Sequence, residues 1–258
     1  MKSIKEIKSE FVQAGESELL QLFQIYGSDS RSGVSGLIAQ YRKKLERLGA
    51  ERERLESMRV YEHEYEELGL VCGIDEAGRG PLAGPVVAGA VILPKNCEIL
   101  YLNDSKKLTA ARRDELFDEI RSKAIAWGVG MASPQRIDEI NILQATYEAM
   151  RDAVSMLDPQ PVVLLNDAVT IPLIPYRQVP IIGGDGKSLS IAAASVMAKV
   201  TRDRLMVEYD KLMPEYGFAS HKGYGSAAHI EALKKYGPSP IHRKTFIKNF
   251  IADTEDTA

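Results

Sequence analysis

Apolar and polar positions alternate with two different rhythms along this chain. Up to about residue 68 apolar side chains recur every three or four positions: Ile4, Ile7 and Phe11, then Leu19, Leu20, Leu22 and Phe23. After a Gly- and Ser-rich break at 27–36, the same spacing resumes through Leu37, Tyr41, Leu45, Leu48, Leu55 and Met58. The pattern predicts two helices joined by the loop GSDSRSGVSG, with Ser35 capping the second. Charges such as Arg42, Lys43, Glu46, Arg47, Glu51 and Arg54 cover its outer face, and this N-terminal extension, residues 1–68, carries no evident chemistry.

From Gly69 the texture changes to short apolar runs alternating with amphipathic helices, the pattern of an α/β domain over 69–258. Strands are predicted at 70–75 and 86–93, joined by the Gly-rich corner EAGRGPLAGP, with a third around 99–102 in a hairpin meander. Helix periodicity over 109–124 is followed by a strand at 125–131 and a long helix from Pro134 to about Leu157. Further strands fall at 162–167 and 179–182, and helices at 188–213 and 226–236.

Composition narrows the classes of function. The 258 residues include two cysteines and four histidines, too few for a disulfide scaffold or a Cys/His metal cluster, and a reducing, cytosolic setting is expected. The charged N-terminus MKSIKEIKSEF and an apolar stretch no longer than 85–93 argue against secretion and membrane insertion. A net charge of -3 excludes bulk coating of nucleic acid, yet between Lys199 and Lys248 ten basic residues face five acidic ones. That local excess suits a polyanionic substrate or a solvated helical surface equally well.

Four acids stand apart from the charged helical surfaces. Asp75 and Glu76 end the first apolar strand, Asp167 ends the run VVLLN, and Asp185 follows Ile181, Ile182, Gly183 and Gly184. Strand ends of an open α/β sheet are where ligands bind. Alternation puts Val163, Leu165 and Asp167 on one face of their strand and Asn166 on the other. Two carboxylates about 5 Å apart repel by roughly 3 kcal/mol, so a gathering of four needs counter-charge. An all-oxygen set selects hard cations, Mg²⁺ or Mn²⁺, and two such ions would activate water on one side of a phosphate and stabilise the leaving oxygen on the other. By spacing alone the four acids could instead sit apart as caps. The loop Gly78-Arg79-Gly80 fits the same task, since glycines bring backbone N–H groups close to a sugar or phosphate and Arg79 offers a bidentate fork.

Taken in order, GIDEAGRGPLAGPVVAGAVIL, NDSKKL, GDGKSLSIAAASVMAKVTRDRLM, HKGYGSAAHIEAL and GPSPIHRKTF resemble the ribonuclease HII family, the type 2 ribonucleases H, over residues 69–246. The resemblance implies an RNase H-like mixed sheet flanked by helices, preceded by the α-helical extension. It implies a metal-dependent endonuclease that hydrolyses the RNA strand of RNA/DNA hybrids, including at single ribonucleotides embedded in duplex DNA, leaving 3'-hydroxyl and 5'-phosphate ends. Carried over by motif, Asp75, Glu76, Asp167 and Asp185 are the catalytic, metal-binding carboxylates for Mg²⁺ or Mn²⁺, with two ions during catalysis. Gly78, Arg79, Gly80 and Tyr224 read the sugar at the RNA-to-DNA junction, where the 2'-hydroxyl is the distinguishing group.

Lys106 and Lys222 are the favoured backbone-holding cations, ahead of Lys107 and Lys199. The small-residue run 191–198 reads as close helix-on-sheet packing, Asp203 as an ion-pair partner of Lys199, and His221 and His242 as local hydrogen-bonders. Asn166, Ala168 and Gly183 depart from the family's usual apolar, Gly and basic residues. The chain is expected to act as a monomer on RNA/DNA hybrid and ribonucleotide-containing duplex DNA. Two rivals remain at this point: the related ribonuclease HIII class, against which Gly-Arg-Gly argues, and a catalytically silent hybrid-binding module, which four retained carboxylates disfavour.

Overall fold

Ser3 and Glu6 form a reciprocal capping box that starts helix α1 (Ile4–Gln13). Extended backbone at Ala14 stops it, and the N–H of Gly15 donates to Glu18 Oε2 at 2.8 Å as α2 (Glu16–Tyr26) begins. The third helix, α3 (Ser32–Ser57), takes in Ser35, whose hydroxyl donates to the carbonyl of Ser32 at 3.0 Å. The extension thus has three helices up to this point rather than two, and Ser35 is an interior residue and not a cap. The break at Ala14–Gly15 escaped the periodicity because the apolar spacing runs through it. Ile7, Phe11, Leu19, Phe23, Val34, Leu37 and Ile38 close into one small core.

This computed structural model describes residues 2–251, and the chain falls into two units, Met1–Glu56 and Ser57–Ala258. The second unit opens with α4 (Val60–Tyr65), then β1 (Val71–Ala77), β2 (Val86–Ile92), α5 (Ala110–Lys123), β3 (Ala126–Ala132), α6 (Pro134–Ser155), β4 (Val163–Asp167) and β5 (Arg177–Ile181). It ends with α7 (Leu189–Leu212), α8 (Phe218–His221), α9 (Ala227–Tyr236) and α10 (Lys244–Ile251). Among the described residues no helix is long and apolar enough to cross a membrane.

The sheet is mixed and five-stranded, in the order β3-β2-β1-β4-β5. β1 pairs antiparallel with β2 and parallel with β4, so the chain's direction switches beside β1. The meander exists, but its third strand is β3, not the apolar stretch at 99–102. Ile99 and Leu102 are buried in a turn in which the N–H of Leu102 reaches the carbonyl of Ile99, and Tyr101 has φ 67. A run that short buries its side chains as readily from a loop as from a strand.

One face of the sheet packs on α6 through Cys72, Ile74, Val86, Ala88, Ala90 and Ile92. The other face packs on α7, with the helix backbone almost touching the sheet. A Cβ on Gly73 would lie 2.0 Å from the carbonyl carbon of Ser190, and one on Gly89 would lie 2.4 Å from the carbonyl oxygen of Ala194. The small residues Ala192, Ala193, Ala194 and Ala198 are what permit this approach. α6 is not continuous: Asn141, at φ 69 and ψ 164, kinks it, and its Oδ1 caps the second half through Leu143 N and Gln144 N.

Candidate active site

Strand alternation sorts the acids before any long-range packing is considered. Odd-numbered positions of β1 face α7, so Asp75 lies on that side, and in β4 Val163, Leu165 and Asp167 share it. Parallel pairing of Ile74 with Asn166 puts the two aspartates at neighbouring strand ends. Asp185 arrives from the turn Gly184–Gly186 that leads into α7, and Asp167 Oδ1 accepts the N–H of Gly184 at 2.8 Å, tying that turn to β4. Asp75, Asp167 and Asp185 each offer a carboxylate oxygen within 4.8 Å of the others.

Glu76 does not belong to this tight set. It is the next residue along β1 and therefore projects to the opposite face, where Arg79 Nη1 lies 3.4 Å from its Oε1. Burial pushes its pKa up, and Asp167 adds to that while Arg79 opposes it.

Asp75 is 3% exposed. Burial drives its pKa well above the ordinary carboxylate range, with repulsion from Glu76 and Asp167 adding, and a hydrogen bond from Ser195 working against them. Asp185 is likewise raised, first by burial and then by Asp104, against the pull of Lys106, whose Nζ stands 3.3 Å from Asp185 Oδ2. An ammonium group drawn to this point, and an all-oxygen set in which Asp75 and Asp185 resist ionisation, fit a hard divalent cation.

The expected nucleic-acid contacts divide. Arg79 remains exposed beside Glu76, and the Tyr224 ring is exposed next to Gly80. The Lys106 side chain is 73% exposed with its ammonium 3.3 Å from Asp185, and the Lys222 ammonium bonds the carbonyl of Ala219. Much of the cationic excess after Lys199 is also engaged: Lys199 pairs with Asp203 at 2.7 Å, Arg204 with Asp114 at 2.8 Å, and Arg202 and Arg243 are fully buried.

Sequence reasoning passed over Asp104 and Ser195. Asp104 caps the short turn Ser105–Lys107 and faces Asp185, while Ser195 links Asp75 to Ser105 through a hydroxyl pair 2.9 Å apart. The available signal was polarity: a serine inside an otherwise apolar stretch of α7.

Behind Tyr224 the histidines form a directed chain. Because the N–H of Ser239 donates to His242 Nδ1 at 2.9 Å, His242 must carry its proton on Nε2, 2.9 Å from His229 Nε2. That leaves His229 Nδ1–H to donate to the carbonyl of Tyr224 at 2.9 Å. Burial holds both rings below the usual imidazole range, His242 down to about 4, so the chain is neutral and fixed near pH 7.

The positions that departed from the motif have local accounts. Asn166 faces away from Asp167, as alternation predicts, and its Nδ2 donates to Gln178 Oε1 at 2.7 Å. Ala168 sits at φ 56 with its N–H on the carbonyl of Ile181. That left-handed conformation costs an L-residue about 1 kcal/mol, so Ala168→Gly is expected to stabilise the fold by about that much. Urea unfolding with an unchanged or lower midpoint would contradict this. Gly183 is also left-handed, at φ 66, with open space around it.

A family model described as ribonuclease HII matches residues 72–249. The chain belongs to the ribonuclease HII family. A second model, the ribonuclease HII N-terminal domain, matches 3–66, so the extension is itself a recurring module. Ribonuclease HII of Lachnoclostridium phytofermentans is 61% identical over 249 residues, covering 96% of this chain and 98% of that one. Among solved structures, the ribonuclease H2 of Pyrococcus horikoshii is 30% identical with a TM-score of 0.62, covering 73% of this chain and 100% of that one. Bst-RNase HIII, at 15% identity and a TM-score of 0.57 over 73% of this chain and 71% of that one, shares the fold. The HIII and silent-module alternatives therefore give way: this is an endoribonuclease acting on the RNA strand of RNA/DNA hybrids.

Proposed function

We propose that this ribonuclease HII depends on divalent metal and also incises duplex DNA at a single embedded ribonucleotide, leaving 3'-hydroxyl and 5'-phosphate ends. The observation that carries the reading is the convergence of oxygens from Asp75, Asp167 and Asp185 within 4.8 Å, on three separate stretches of chain. An all-oxygen set favours Mg²⁺ or Mn²⁺, and Asp75, Asp167 and Asp185 would hold the ions; Glu76 leaves the other side of β1 but at the strand end, where its carboxyl still feels Asp167, and would be a fourth donor from there. When bound, a pair of such ions supplies an activated water and charge stabilisation for the leaving oxygen.

The remaining work falls to the protein. Lys106 offsets charge at Asp185 and orients that side chain. Arg79 is exposed enough to fork onto a phosphate, and the loop around Gly80 brings backbone to the sugar beside the Tyr224 ring. The reading takes the enzyme as a cytoplasmic monomer, and its two free, buried cysteines suit a reducing compartment.

The test is incubation with Mg²⁺ or Mn²⁺ of a duplex carrying one ribonucleotide, in parallel with an all-RNA strand paired to DNA. Cleavage of the first is expected, and an intact duplex overturns the proposal. Tyr224→Ala is expected to lower kcat/KM on that duplex by about 100-fold while changing duplex affinity by no more than about threefold. Parallel losses in cleavage and binding would remove the sugar-reading role from Tyr224.

A further inference from the structure

Two arginines lie entirely inside the protein, directly beneath the Gly78–Gly80 loop. Arg202 on α7 is 1% exposed and Arg243, just ahead of α10, is 0% exposed. Arg202 donates to the carbonyls of Pro85 at 2.9 Å, Ala83 at 3.0 Å and Lys222 at 2.9 Å. Arg243 donates to those of Gly84 at 2.9 Å, Arg79 at 2.8 Å and Gly78 at 2.5 Å. All six bonds end on main-chain oxygens of two segments, 78–85 and the turn before Tyr224, and none on a carboxylate.

Planar trans peptides make this a statement about direction. When the carbonyls of Gly78 and Arg79 point inward to Arg243, the N–H groups of Arg79 and Gly80 must point outward. The loop therefore presents donors to solvent and keeps its acceptors inside, which suits a sugar hydroxyl or phosphate oxygen. Main-chain bonds at Leu82 fix the spacing on both sides: its N–H reaches the carbonyl of Gly223 in the other segment at 2.8 Å, and its carbonyl accepts the N–H of Arg243 at 2.8 Å. The Arg202 guanidinium also lies 5.9 Å from the centre of the Tyr224 ring.

The glycine at 78 is required by the same arrangement. At φ +93, a Cβ there would come within 2.1 Å of Arg202 Nε. Burial and the neighbouring Arg202 pull the Arg243 guanidinium down to about 9, against the weaker pull of Tyr224 and Asp138, and its direct hydrogen bonds are all to carbonyl dipoles.

We propose that Arg202 and Arg243 act as a pair of positioning residues that set the Gly78–Gly80 loop against Tyr224 and thereby determine discrimination of the ribose. This rests on the reading that the loop and Tyr224 sense the 2'-hydroxyl. Lysine cannot substitute, because three donors on one nitrogen do not span carbonyls that a rigid guanidinium fork reaches at once.

The test uses the full chain with Arg243→Lys and Arg202→Lys, each checked for folding by circular dichroism and thermal unfolding. On the one-ribonucleotide duplex kcat/KM is expected to fall about 100-fold with KM within about threefold, and the loss on an all-RNA strand should be about tenfold smaller. Equal losses on both substrates, in step with the folded fraction, overturn the proposal. Amide hydrogen exchange of 78–85 should accelerate in both variants while β1 and β2 stay protected, and unchanged exchange overturns it as well. If a variant fails to fold, exchange of the arginine Nε–H groups in the wild-type protein decides. Slow exchange at Arg202 and Arg243 is expected, and rates of free arginine refute the clamp. A wild-type enzyme that spares the lone ribonucleotide would count against the proposed function alone, since both exchange measurements proceed without turnover.

Discussion

An Asp75→Asn enzyme is expected to lose cleavage by about 10³-fold or more and to become more heat-stable without divalent ions. Asp75 is buried among like charges, and its pKa in the folded state is raised well above the usual value. A carboxyl raised in this way supports the fold when protonated, and that support is lost as pH rises through the folded pKa. Ionising this carboxyl in the folded protein therefore opposes folding, and Asn removes the penalty.

The difference in stability between the two proteins should grow as pH rises above the ordinary carboxylate range and level off above the raised pKa of the folded state. It should vanish below about pH 4, where the carboxyl is protonated in both folded and unfolded states. Adding Mg²⁺ should raise the melting temperature of the wild type and leave that of the variant nearly unmoved. Equal shifts in both proteins, or a less stable metal-free variant, would remove Asp75 from the ion-holding set.

Gly73→Ala is expected to produce the largest loss of stability among single-methyl additions to the sheet. The added Cβ would lie 2.0 Å from Ser190 C and 2.2 Å from Ile191 N, both main-chain atoms of α7. Helix and strand must separate, which costs about 3 kcal/mol or more and lowers the melting temperature by about 10 °C. Activity should fall too, because Asp75 lies two residues along β1 and Asp185 leads into the displaced end of α7. Calorimetry showing a change under about 2 °C would mean that the close contact is absent in solution. A methyl on Gly183, where nothing lies within 4 Å, makes a useful contrast: only its left-handed φ of 66 stands against it.

Several features of the site were legible because they depend on one element at a time. Alternation along β4 placed Asp167 and Asn166 on opposite faces, and the structure has them so, with Asn166 on Gln178 and Asp167 on Gly184. The Lys199–Asp203 pair needed only helical spacing. The same rule places Asp75 and Glu76 on opposite sides of β1, although their adjacency in the sequence invited treating them as one unit.

Arg202 and Arg243 show where this reasoning stops. Counted along the chain they are surface cations in a basic stretch, yet both are buried on carbonyls far away in sequence. Lys106 and Lys222 were read as cations for a phosphate, and the groups they meet within the protein, Asp185 and the carbonyl of Ala219, were not legible along the chain. The apolar residues at 99–102 were buried, as their character demanded, but in a turn and not a strand.

By itself the sequence determined the succession of most helices and strands, the face on which each acid of a strand projects, and the motifs of a hybrid-cleaving nuclease. These follow from periodicity and local chemistry, which neighbours along the chain are enough to specify. The tertiary structure alone decided that Asp75, Asp167 and Asp185 meet within 4.8 Å, and that two arginines turn inward to hold a loop. Those outcomes depend on how α7 crosses β1 and how 78–85 folds back on the segments before Tyr224 and α10. Such contacts join separate elements of the chain, in several cases more than a hundred positions apart, and no local period encodes them.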